Sequence, residues 1–227
     1  MQHIIFSLVL FVIALTTAEL QRSPSLLLRK RYRTIRSLGA GVYGSVVLAQ
    51  DRYSKQLVAI KTQQPHPKHA SEFTREPTGY EVEALDKLGD LIAADDGMIV
   101  MKYHPGITLK QALDKGFLRS IEQRHAYKGL MQKAMENVHE LNISHGDVSM
   151  DNVVFRVDRR GRPLEAHFID FGMSCESENF TEDVSSFRNL WQKVERAAQQ
   201  QPQKKGPWHR FHQSIRQCFG QRCEVHS

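Results

Sequence analysis

Residues 33–50 read RTIRSLGAGVYGSVVLAQ. Apolar residues flank the segment Gly39-Ala40-Gly41-Val42-Tyr43-Gly44, and the residues just past the glycines decide the fold. In a Rossmann unit such glycines open a helix. Here they lead into Ser45-Val46-Val47-Leu48-Ala49, which is β-branched and strand-like. A Walker-type phosphate loop needs Gly-Lys-Ser/Thr, whereas Gly44 is followed directly by Ser45. The stretch therefore predicts two strands joined by a glycine turn. Missing side chains at Gly39, Gly41 and Gly44 would let backbone N–H groups approach phosphate oxygens closely. The alternative is a plain hairpin whose glycines serve only the turn.

The rest of the chain sets the bounds. Its 227 residues are 41% hydrophobic and 25% charged, enough apolar mass for one domain or one two-lobed unit. A disordered, collagen-like or disulfide-stapled chain is excluded. Lys plus Arg is 31 and Asp plus Glu is 25, a net charge of +6. That suits anionic ligands such as phosphates, but no basic run resembles a nucleic-acid arm, and no nucleic-acid partner is expected.

Ile4 to Leu15 is an uncharged, almost wholly apolar run, followed by Thr16-Thr17-Ala18 and the polar Glu19. This is the pattern of a secretory signal peptide over residues 1–18, too short to span a bilayer comfortably, with a buried helix and an uncleaved membrane anchor as the alternatives. The expectation is a secreted or secretory-pathway protein with no stable membrane span after cleavage. Residues 19–31 then form a linker or propeptide ending in Arg29-Lys30-Arg31, where Lys30-Arg31 is either a second processing site or exposed charge. Cys218 and Cys223 are close enough to pair in an oxidising compartment, which leaves Cys175 unpaired. Two sequons occur, at Asn142-Ile143-Ser144 and Asn179-Phe180-Thr181.

The strand after the glycine hairpin is Leu57-Val58-Ala59-Ile60-Lys61. A lysine ending an apolar strand usually just reaches water. Behind a glycine hairpin, however, Val-Ala-Ile-Lys resembles the protein-kinase superfamily, whose phosphate-holding lysine sits in this phrase. The resemblance extends over roughly residues 32 to 190. His145-Gly146-Asp147 followed by Asn152 has the spacing of a kinase catalytic loop, and Phe168-Ile169-Asp170-Phe171-Gly172 carries the Asp-Phe-Gly triplet. Between them, Val153–Val157 and a return strand to Ile169 fit a hairpin turning through Asp158–Pro163. Ile121, Tyr127, Leu130, Met131, Ala134, Met135, Val138 and Leu141 recur at helical spacing and predict a core-packing helix.

The resemblance implies an α+β, two-lobed kinase-like fold over 32–227. An antiparallel β lobe with one helix would span about 32–103, and a shortened, mainly helical lobe about 104–227. It implies ATP and Mg2+. Gly39, Gly41 and Gly44 would lie over the phosphates, Lys61 would hold those not transferred, and Val46 would also bind the nucleotide. Glu81 would hold Lys61, although Thr78-Gly-Tyr-Glu81 also reads as a capping box behind Pro77. Met101 would lie behind the adenine, with backbone from Lys102 through Tyr103 to His104 on its edge. Asn152 and Asp170 would hold the metal, and Asp147 would accept the proton of the acceptor hydroxyl.

Three departures matter. Gly146 stands where most protein kinases carry arginine, so a loop-phosphate switch is not expected. Ser149 stands where Ser/Thr kinases place a lysine; His-Gly-Asp instead resembles atypical kinases and small-molecule phosphotransferases of the aminoglycoside type. After Gly172 the chain reaches Glu182-Asp183 in about ten residues without Ala-Pro-Glu, and Asp183 resembles the helix aspartate that braces the catalytic loop. A polar stretch from Gln199 to Lys205 reads as a linker. The expected function is ATP-dependent phosphoryl transfer to a hydroxyl acceptor, a protein Ser/Thr first. The alternatives are a secreted pseudokinase or effector that binds nucleotide or partner proteins, and a small-molecule or sugar phosphotransferase.

Overall fold

The computed structural model describes residues 30–41, 44–63, 79–95 and 97–200. The proposed signal peptide, most of the linker behind it, Pro77, Thr78, Cys218 and Cys223 lie outside the described residues. So does everything after Gln200.

A five-stranded antiparallel sheet comes first, in the order β1-β2-β3-β5-β4. Its strands are β1 (Tyr32–Gly41), β2 (Gly44–Asp51), β3 (Leu57–Gln63), β4 (Leu91–Asp95) and β5 (Met98–Lys102). The glycine segment forms the predicted hairpin, with Gly39 opposite Val46 and Gly41 opposite Gly44. Helix α1 (Gly79–Lys87) lies between β3 and β4 in sequence. Period-two side-chain alternation sorts the strands into two cores. Val58, Ile60, Met98 and Val100 join Tyr32 and Ala49 in a small cluster on one face. Ile99, pointing the other way, joins Ala84 and Leu85 of α1 in the main core.

Past the sheet, β6 (Ile107–Thr108) leads into α2 (Leu109–Asp114) and α3 (Ile121–His139). Then come β7 (Ile143–Ser144), the β8–β9 hairpin (Val153–Val157, Pro163–Phe168), β10 (Cys175–Glu176) and α4 (Thr181–Gln200). Thr108 and Gln111 form a reciprocal capping box on α2, and Ser120 caps α3. The main core runs through Tyr127, Met131, Ala134, Met135 and Val138 of α3, Phe155 and Phe168 of the hairpin, and Phe187, Trp191 and Val194 of α4.

The predicted α3 stripe is buried in its middle and differs at both ends. Ile121 is 54% exposed because it opens the helix next to its cap, and Leu141 lies beyond the helix, in the turn after Glu140. The return strand of the hairpin stops at Phe168, one residue short of the expected Ile169. Gln199, read as linker, is the penultimate residue of α4. β6, β7, β10 and α2 carry too few residues to show a period in the sequence. Arg31 is not loose charge: its guanidinium grips Asp51 at 2.7 Å, and its carbonyl accepts from the Arg52 N–H. Asp51 also accepts from the Tyr53 N–H, and the Arg31 contact is the main reason its pKa falls to about 2. No helix among the described residues is long and apolar enough to cross a membrane.

Candidate active site

Strand β3 and helix α1 bring a cation and an anion together where water is scarce. Lys61 Nζ donates to both carboxylate oxygens of Glu81, at 2.7 and 2.9 Å, and to Asp170 Oδ1 at 2.8 Å. Lys61 is 8% exposed and Glu81 1%. Burial disfavours the ammonium, but the Glu81 and Asp170 carboxylates outweigh it and raise the Lys61 pKa. Both Glu81 oxygens are thus committed to the lysine. Gly172 packs tightly on this junction: a Cβ there would sit 3.2 Å from Lys61 Nζ and 3.3 Å from Asp170 Oδ1.

The catalytic-loop segment is fixed from below. Asp183, 1% exposed, accepts from the His145 N–H (2.7 Å), the Gly146 N–H (3.0 Å) and the Ser144 hydroxyl (3.1 Å), and meets His139 Nε2 at 3.0 Å. Burial pushes this carboxyl upward, yet the donors, led by the two backbone N–H groups, hold it below the usual carboxylate range. His145 lies between Phe168 and Phe171. Its Nε2 is 3.1 Å from the Ile169 carbonyl, and its Nδ1 accepts from the Asp147 N–H. Both contacts select the neutral ring with the proton on Nε2, and burial lowers its pKa in the same sense.

Asp147 projects from this loop as an exposed side chain. The Asn152 amide N–H2 donates to its carboxylate at 2.7 Å and its carbonyl at 3.1 Å. That turns the Asn152 oxygen away from Asp147, while the Asp170 side chain is 53% exposed. Asn152 and Asp170 thus offer two hard oxygens. No group of three or more His, Cys, Asp and Glu forms a cage among the described residues. The pair fits Mg2+, which completes its shell with phosphate and water.

The structure places the residues expected at the nucleotide as follows. A Cβ on Gly39 or Gly41 would meet no protein atom within 4 Å, so the fold itself does not demand glycine there. Val46 sits opposite Lys61 across β2 and β3. Met101 is half-buried on β5 against the main core. Among the described residues, neither Tyr103 nor His104 makes a backbone hydrogen bond, which leaves their amide and carbonyl groups for a ligand edge. The sequence alone did not point to Ser144, His139 or Gly172 as supports, nor to a cluster of Asp90 and His167 around His104; such polar contacts have no sequence period.

Gly146 explains its own departure. Its φ is +74°, and a Cβ would overlap the Met173 carbonyl oxygen. The arginine common in related loops has no room here. Gly146→Ala is expected to cost about 2–3 kcal/mol from backbone strain and overlap, read as a lower denaturation midpoint in urea.

The protein kinase domain model matches residues 32–189. The chain belongs to the protein kinase family. It is 31% identical over 172 residues to "Serine/threonine-protein kinase C" of Synechocystis, covering 68% of this chain and 31% of that protein. It is 29% identical over 167 residues to "Serine/threonine-protein kinase PknA" of Nostoc, covering 66% and 29%. The chain thus spans under a third of the length of each.

Proposed function

We propose that this protein transfers the γ-phosphoryl group of ATP to the hydroxyl of a protein serine or threonine, using Mg2+, after entering the secretory pathway. The observation that carries the chemistry is Lys61 Nζ held at once by Glu81 and Asp170, from distant parts of the chain. Lys61 would orient the non-transferred phosphates beneath the open Gly39–Gly41 strand. Asp147, steadied by Asn152, would align the acceptor hydroxyl and take its proton as the new O–P bond forms. The bond from the bridging oxygen to the γ-phosphorus breaks, and ADP leaves. Bound Mg2+ on Asp170 and Asn152 would neutralise phosphate charge. Positioning and charge supply most of the rate in such transfers. The names of the relatives support a Ser/Thr acceptor, and the apolar run before Ala18 supports secretory entry.

The test is a radiolabelled-ATP assay on the full chain with protein, sugar and aminoglycoside acceptors. Label is expected in protein, dependent on Mg2+, and reduced at least about 100-fold in Asp170→Ala. Equal incorporation by wild type and variant overturns the catalytic reading; label only in a small molecule overturns the acceptor. Mass spectrometry of the secreted product is expected to begin at Glu19, and an intact Met1 overturns the leader.

A further inference from the structure

The hinge, residues 103–106 between β5 and β6, carries a polar cluster that the catalytic chemistry does not use. His104 follows β5. Its Nε2 lies 2.7 Å from Asp90 Oδ2, in the turn before β4, and its ring stacks on His167 of β9 with centroids 4.0 Å apart and planes 20° from parallel. The Asp90 backbone carbonyl also accepts the Lys102 N–H, and its Oδ1 lies 3.6 Å from Lys102 Nζ. His167 Nε2 is 3.8 Å from Glu165, which Arg156 of β8 grips with two hydrogen bonds. The hinge is pressed on the same hairpin at Gly106, where a Cβ would overlap the Phe155 carbonyl. The cluster therefore ties the first sheet (Asp90, Lys102) through the hinge (His104) to the hairpin strand that runs into Asp170.

Charge within the cluster is already balanced. Asp90 lies beside Lys102 and Glu165 is gripped by Arg156, so a proton on His167 would press a charge against the stacked His104 ring with no unmatched carboxylate beside it.

We infer that His167 is a positioning residue that seats the hinge for nucleotide through its stack on His104, and that protonating it unseats the hinge and weakens nucleotide binding. This rests on the ATP-binding reading above. The His167 pKa is lowered, first by burial and then by His104, with Asp90 and Glu165 opposing. The neutral ring therefore persists to lower pH than in a free histidine.

The test is the dissociation constant of Mg-ADP against pH, for the full chain and for His167→Phe, which keeps a ring on His104 but no proton. In the wild type it is expected to rise about threefold from about pH 7.5 to about pH 5, on the acid side of free-imidazole titration. The phosphate titration of ADP is common to all variants. His167→Phe is expected to match the wild type at the upper pH and to lose most of this rise. His167→Gln, which also cannot be protonated, is expected to show the same flattened profile. If both keep the full wild-type rise, the inference is overturned while nucleotide binding stands. A wild type that binds no Mg-ADP at any pH overturns the ATP reading itself.

Discussion

Asp147→Asn is expected to slow phosphoryl transfer by about 10²–10⁴-fold, the range for removing a positioned general base. The substitution is isosteric. The new amide oxygen can still accept the Asn152 hydrogen bond now made to Asp147 at 2.7 Å, so the loop keeps its shape. Lys61, Glu81 and Asp170 are untouched, and nucleotide affinity should stay within about twofold. Single-turnover kinetics with saturating Mg-ATP would separate the two quantities. Loss confined to kcat assigns Asp147 to the transferring proton. A parallel loss of affinity would assign it to nucleotide binding instead.

Asp183→Ala is expected to cost about 3–5 kcal/mol of stability, measured by urea denaturation. The carboxylate collects the N–H groups of His145 and Gly146, the Ser144 hydroxyl and the His139 ring at 2.7–3.1 Å. Truncation leaves buried donors with no acceptor, at about 1–3 kcal/mol each. That is a large share of a typical domain stability of about 5–15 kcal/mol. The pH dependence supplies a second readout. The folded pKa of Asp183 is lowered, so its contribution is complete above the ordinary aspartate value and fades as pH falls through the folded one. The variant should lack that portion of the acid-side loss. Unchanged stability would show that the loop is braced elsewhere.

Much of the centre was legible because its residues sit in short phrases with fixed spacing. Lys61 follows the apolar run Leu57-Val58-Ala59-Ile60, Asp147 and Asn152 are five apart, and Asp170 lies two residues past the hairpin's return strand. Glu81 left two readings open from sequence. The fold decides in favour of the lysine, since both its oxygens are on Lys61; the Thr78 half of the capping box lies outside the described residues. Asp183 was legible only through its likeness to a bracing aspartate. Its donors Ser144 and His139 come from a two-residue strand and a helix end. The Asp90–His104–His167 cluster joins a turn, a hinge and a strand 63 residues beyond that hinge. Periodicity predicts which face of an element is buried; it cannot pair two histidines so far apart. At Gly146 the sequence showed a missing arginine, and the fold supplied the reason, a carbonyl where its Cβ would be.

The eight residues 173–180 join Gly172 to helix α4. Cys175 and Glu176 are paired with Ser144 and Ile143, and the Ser174 hydroxyl is tied to Phe171. The Ser177 N–H is on Asn142, and the Asn179 side chain accepts from Thr181. An order–disorder gate needs slack that can be stored in two shapes, and this tether has almost none to spare. Between Gly172 and α4 the described residues thus leave no loose segment that could serve as such a gate.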